Sequence, residues 1–385
     1  MASKRSSTAR INKDLFLFFS ASVSVSLTMG LNTGVFNNFA VEVIGIRPEQ
    51  LGVLESIREI PGLLSGFLIS ALMGIREPIV GSISLALLAL GMGLYSIVGN
   101  IPLLILFAFT WSLGLHLWMP LSSSMAIYLS DEGERGRMLG LLGSAGSIAS
   151  ITAIGFVFLF AKSLGYRSIY LISGSLAAIG ALSALSISRN VGVTERPKLV
   201  IRKRYWLYYL LTFLEGCRKQ MFITFAVFVL VKVYGFGVRN ISLLMLLNGF
   251  LNFVLAPRVG RLIDRLGERK VLLASYSSLI PVFLGYALIH NPFVLSILYI
   301  LDNLLFLGSI SLTTYIGKIA PLEEIRPVLS MGTTMNHIAA VAIPITGGYI
   351  WKALGYEIIF GIGSAIVLLS TIAAIKLDPH RTPIS

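Results

Sequence analysis

Twelve runs of mostly apolar residues, each long enough to cross a bilayer, constrain this chain more than any other feature. They fall at 15–41, 51–73, 78–98, 101–128, 138–161, 168–188, 205–231, 241–257, 271–289, 292–317, 328–350 and 357–375. A helix needs roughly 17–25 such residues to span the hydrocarbon core. In lipid, the backbone must satisfy its own hydrogen bonds, which only helices and closed barrels achieve. The composition agrees, with 55% hydrophobic and 13% charged residues against about 25% charged in a soluble domain. The expectation is an all-α membrane protein with twelve transmembrane helices.

The formal net charge of +13 does not point to nucleic acid. The basic residues sit in short clusters between apolar runs rather than along one amphipathic face. With the N-terminus inside, 22 of the 31 Lys and Arg residues fall in inner segments, six in outer loops and three inside spans. That bias places both termini in the cytoplasm of a multi-pass cell-membrane protein. The basic stretch "MASKRSSTARINKD" is followed by a full-length span, so it reads as an uncleaved tail. The single cysteine, Cys217, excludes intrachain disulfides and a cysteine-built metal site. There is no nucleotide loop, no nucleophile elbow and no metal-ligand spacing. The chain is expected to be no enzyme and to need no cofactor and no metal.

The halves repeat. "FNNFAV" (Phe36 to Val41) in span one matches "FITFAV" (Phe222 to Val227) in span seven. "KSLGY" (Lys162 to Tyr166) before span six matches "KALGY" (Lys352 to Tyr356) before span twelve. The two offsets are nearly equal, as a parallel duplication of six spans requires. The division expected is an N-terminal six-helix bundle over 1–188, a basic cytoplasmic linker over 189–204 and a C-terminal six-helix bundle over 205–385. Glycine-rich faces such as "GLLGSAGSIAS" (Gly140 to Ser150) read as close helix contacts.

The stretch "GRLIDRLGERK" (Gly260 to Lys270), between spans eight and nine, resembles the Gly-x-x-x-Asp-Arg-x-Gly-Arg-Arg/Lys loop of the major facilitator superfamily. "DEGERGRMLG" (Asp131 to Gly140) is similar to the family's Arg-Gly-Arg entry to span five. The resemblance implies two six-helix bundles related by a pseudo-two-fold axis, rocking about a central site. It further implies a cytoplasmic gate built from Gly260, Asp264, Arg265, Gly267 and Arg269 with Arg135 and Arg137. In that gate Asp264 meets the first turn of span five, whose unpaired N–H groups and helix dipole favour a carboxylate. The first-half copy of the motif, "FLISALMGIRE" (Phe67 to Glu77), is degenerate, with Ala71 opposite Asp264 and Leu72 opposite Arg265. Span four has no arginine, and span five lacks the Pro-x-x-x-Gly signature of the proton-driven drug antiporters. A "PITGG" (Pro344 to Gly348) occurs in span eleven instead.

Charges inside spans are costly, about 2.5–3.5 kcal/mol each on insertion scales, and mark cavities and pathways. Span two carries Glu55, Arg58 and Glu59, and span seven carries Glu215, Arg218 and Lys219. Both trios run i, i+3, i+4, so each shares one helix face. His116, Asp302 and His337 lie in spans four, ten and eleven. The trios also read as structural ion pairs, Asp302 as an acid held by Asn303 or a neighbouring helix, and each histidine as a packing residue. After pairing with Glu215, one cation of span seven is surplus. Arg218 is the expected substrate contact, because a guanidinium grips a carboxylate or phosphate in bidentate fashion. Asp302, in an apolar run, is the expected carrier of a coupling proton. These nine residues form the expected substrate and proton pathway.

The sequence reading is thus a monomeric secondary transporter for a small polar or anionic solute, driven by protons. An efflux carrier for amphipathic compounds and a non-transporting membrane sensor on the same fold remain alternatives.

Overall fold

The computed structural model describes residues 2–72, 74–130, 134–188 and 202–378, except the side chains of 2–12, Leu322, Glu323 and Arg326. Residues 189–201 of the expected linker lie outside them. The described residues form helices and no strand. In chain order these are α1 (Ala2–Asn38), running on as a π-helical segment (Phe39–Val43), α2 (Pro48–Leu63), α3 (Ser65–Ala71), α4 (Glu77–Leu94), α5 (Ile101–Tyr128), α6 (Arg135–Leu164) and α7 (Tyr166–Leu185). The second set is α8 (Trp206–Lys232), α9 (Val238–Leu266), α10 (Glu268–Leu288), α11 (Pro292–Phe306), α12 (Ile310–Ile319), α13 (Leu322–Leu354) and α14 (Tyr356–Ile375). Two spans are interrupted. The second is split at Leu64 between α2 and α3, and the tenth by a 3₁₀ turn, Leu307–Ser309, between α11 and α12. Counting each split pair once gives the twelve spans.

Ten of the helical spans are long and apolar enough to cross a membrane on length and composition alone. The two that are not, α2 with α3 and α8, are those carrying the charged trios. The membrane reading of these two rests on the helices around them, and their charges call for a separate explanation.

The chain falls into two compact units, Met1–Ile44 with Ile60–Arg196, and Gly45–Glu59 with Pro197–Ser385. In the first unit α1 packs on α6 and α7, and α4 on α5 and α7. Its core is aromatic near the π-helical segment. The Phe39 and Tyr170 rings meet edge to face at 4.9 Å, as do Tyr95 and Tyr170, and Trp111 Nε1 donates to the Tyr95 hydroxyl at 3.1 Å. The Gly140–Ser150 face makes close contacts only along its second part, where Gly146 meets Ser26 and Ser150 meets Gly30. Gly140 and Gly143 face open space.

The second unit repeats this packing. α8 lies on α13 and α14, and α10 on α11 and α14. The rings of Phe222, Phe283, Tyr286 and Phe360 fill its core. The repeated Lys-x-Leu-Gly-Tyr stretches take one conformation. Gly165 (φ 76°, ψ 156°) ends α6, and Gly355 (φ 92°, ψ 162°) ends α13. Both sit at positive φ, where a Cβ is strained. The tyrosine that follows reaches the end of its unit's first span in each case. Tyr166 donates to Glu42 at 2.7 Å, and the Tyr356 and Tyr234 hydroxyls are 3.1 Å apart.

Residues 45–59 cluster with the second unit, where α2 meets α13 at small residues. Gly52 faces the Pro344 carbonyl, Gly348 faces the backbone of Pro48 and Gly52, and Ser56 Oγ accepts from the Ile345 N–H at 2.9 Å. The small-xxx-small pair Gly52 and Ser56 of α2, facing Gly348 of α13, lets the backbones approach, which in lipid replaces the hydrophobic drive to associate.

Candidate functional site

Halfway along α8, Glu215 and Arg218 stand one turn apart and both are buried, Arg218 to 1% exposure. The guanidinium does not stand alone. Arg218 Nη2 donates to Glu215 Oε1 at 2.6 Å, and Nη1 donates to Asp302 Oδ1 of α11 at 3.2 Å. The expectation of a surplus Arg218 and a solitary Asp302 is therefore corrected. One fork spans two carboxylates on two helices, the geometry that only arginine offers. Asn303 is not the partner of Asp302, for its amide donates to the Tyr299 carbonyl at 2.8 Å.

Of the two cations of this span, Lys219 is the one with no carboxylate in ion-pair range among the described residues. It is half-buried, and its ammonium lies 5.3 Å from the centre of the Phe306 ring. The Arg218 guanidinium lies 5.1 Å from the same ring. Phe306 is the last residue of α11, four residues beyond Asp302 and hence on its face. It was legible only as an i, i+4 neighbour of the acid. The 3₁₀ turn follows immediately. Gly308 there faces Ser275, whose hydroxyl donates to the Leu305 carbonyl and satisfies an acceptor freed where the helix is interrupted.

The trio of α2 forms a second cluster in the same unit. Arg58 Nη2 lies 2.5 Å from Glu55 Oε2 and 2.9 Å from Glu59 Oε1. His337 Nδ1 of α13 is 3.3 Å from Glu59 Oε2, so His337 joins this cluster and not that of Asp302. At the start of α2, Glu49 Oε1 lies 3.0 Å from Arg47 and 3.4 Å from Lys352. In the first unit His116 is buried in α5, with its Nδ1 3.0 Å from Ser112 Oγ. Trp111, Trp118, Tyr299 and Tyr315 are all largely buried, with Tyr299 stacked on Phe222, as packing side chains are.

The Gly260–Lys270 motif is not a loop. It forms the last two turns of α9, a positive-φ Gly267 (84°) and the start of α10. Asp264 and Arg265 are exposed on α9, and Arg269 lies in the first turn of α10. Arg135 opens α6, and Arg137 pairs with Glu134 at 3.0 Å.

The family model described as "Major Facilitator Superfamily" matches residues 16–341 and 208–385. No curated protein matches the chain. Among solved structures, the chain resembles the nucleoside transporter NupG at TM-score 0.77 and 14% identity, over 95% of this chain and 100% of that one. It also resembles a bacterial homolog of the human lysosomal transporter Spinster, inward-facing and unoccupied (TM-score 0.72, 13% identity, 96% and 99% covered). A third is the peptide transporter POT in complex with alafosfalin (TM-score 0.73, 14% identity, 94% of each chain). At such identities the likeness establishes the fold, and the family match establishes descent: this chain is a multi-pass membrane protein of the Major Facilitator Superfamily of transporters.

Proposed function

We propose that the chain carries a small polar or anionic solute across the cell membrane by alternating access, coupled to protons, with both termini in the cytoplasm. The observation that supports this is the buried triad Glu215–Arg218–Asp302 beside Lys219. With every group ionised the four charges cancel. When Asp302 takes a proton, Arg218 keeps only Glu215 and the cluster gains one positive charge. An anionic solute group then restores neutrality, using Lys219 and the released side of the Arg218 fork. Proton and anion enter and leave together, which is symport. Asp264, exposed and without an ion pair among the described residues, is the proposed gate carboxylate.

The test has two steps. A thermal-shift screen of polar and anionic metabolites, nucleosides and short peptides against the purified chain identifies a ligand. The chain reconstituted in liposomes is then assayed for flux of that ligand. Accumulation driven by an imposed pH gradient supports the proposal. Binding without flux identifies a sensor, and flux indifferent to the gradient removes the proton.

A further inference from the structure

The inner end of α9 carries three arginines, of which the gate reading uses only Arg265. Arg258, Arg261 and Arg265, spaced i, i+3, i+7, lie on one helix face and with Leu262 line an open recess of about 260 Å³. All three are exposed, and none has an ion-pair partner among the described residues. Several other cations of the inner segments meet carboxylates. Arg137 meets Glu134 at 3.0 Å, Lys318 meets Glu268 at 2.7 Å, and Arg202 and Arg204 meet Glu324. Asp264 is the nearest acid in sequence, three residues from Arg261, but no ion pair joins it to any of the three arginines among the described residues. Arg258 Nη1 donates to the Val254 carbonyl at 2.6 Å, which draws that guanidinium back along the helix toward the membrane.

The same face continues outward as an apolar stripe. Leu243, Leu247 and Phe250 fall on it by their spacing of three and four residues, and they are 55%, 46% and 59% exposed. From Leu247 to Arg258 is about 16 Å of helix rise, close to one leaflet, or half of a hydrocarbon core about 30 Å thick. An apolar stripe one leaflet long, ending in guanidinium forks with no protein carboxylate to hold, has the chemistry of a phospholipid with a net negative headgroup. Guanidinium binds phosphate in bidentate fashion, and basic pockets on the cytoplasmic side are where acidic headgroups collect. We propose that this face of α9 is a binding site for one anionic phospholipid. The phosphate lies against Arg258, Arg261 and Arg265, and an acyl chain follows Phe250 and Leu247. The inference rests on the charge and phase of α9 and not on the identity of the transported solute.

Native mass spectrometry of the full chain in detergent, titrated with phosphatidylglycerol or phosphatidylcholine, tests it. One phosphatidylglycerol should be retained in preference to phosphatidylcholine. The triple variant Arg258→Gln, Arg261→Gln, Arg265→Gln should bind it about tenfold or more weakly. A variant with Lys203→Gln and Lys270→Gln, exposed basic positions off this face, should bind as the wild type does. Equal losses in both variants would mean a diffuse inner-surface charge and overturn the site. Displacement of the lipid by millimolar inorganic phosphate would make it a free-anion site and overturn the lipid assignment. Should the triple variant fail to fold, Arg261→Gln alone is expected to weaken binding severalfold, and wild-type binding in it contradicts the proposal.

Discussion

Arg218 and Lys219 are adjacent in sequence and opposite in circumstance. The first is enclosed between two carboxylates and the second is left to face Phe306. Their substitutions should therefore fail differently. Arg218→Ala leaves Glu215 and Asp302 buried without their cation, a loss of about 3–5 kcal/mol for a broken buried pair. The expected result is a clear fall in the thermal midpoint of the purified protein. Lys219→Ala removes a half-buried cation from no ion pair. Its midpoint should stay near wild type while affinity for an anionic ligand falls about tenfold, as calorimetry would register. If Lys219→Ala binds normally, the solute-facing cation is misassigned. The sequence reveals the i, i+3 pairing of Glu215 with Arg218, because that spacing is local. Which cation is surplus is not legible there, since the answer depends on Asp302, 84 residues away on another helix.

Helix boundaries show the same division between local and distant causes. The turn after α6 and the turn after α13 were legible as repeats, because a glycine at positive φ leaves a fixed mark in sequence. The interruption after Phe306 was not, since Ser275 of α10 caps it from outside. Two predictions belong at this scale. Gly348→Leu should force α2 from α13, an overpacking loss of about 1–3 kcal/mol. Gly361→Leu on α14, where a Cβ meets open space, should leave the thermal midpoint unchanged. Equal midpoints for the two variants would deny the α2–α13 contact a role in stability. At the start of α13, hydrogen bonds from Arg204 and Tyr205 hold the Glu324 carboxyl below its ordinary value of 4.5. A carboxyl lowered in the folded state adds stability above its unfolded pKa and loses it as pH falls through the folded value. Midpoints of wild type and Glu324→Gln should accordingly differ at pH 7 and converge only as pH falls through the lowered folded value of the Glu324 carboxyl. A difference that persists in acid would assign the effect to packing.

For the whole molecule, twelve spans and the family were legible because lipid imposes length and apolarity on every crossing. The two charged spans could be counted only beside their neighbours, for α2 with α3 and α8 do not reach the apolar threshold that the other ten do. The clustering of residues 45–59 with the second unit accompanies the small-residue contact with α13, whose partners lie almost 300 residues apart. The central claim is that transport is coupled to a proton through Asp302 and Arg218. The measurement that tests it most directly is ligand-induced proton entry into liposomes holding the purified chain and an internal pH dye, for wild type and Asp302→Asn. Proton entry with ligand in the wild type is predicted, with loss of that entry in Asp302→Asn while exchange of labelled for unlabelled ligand continues. Undiminished proton entry in Asp302→Asn would contradict the account.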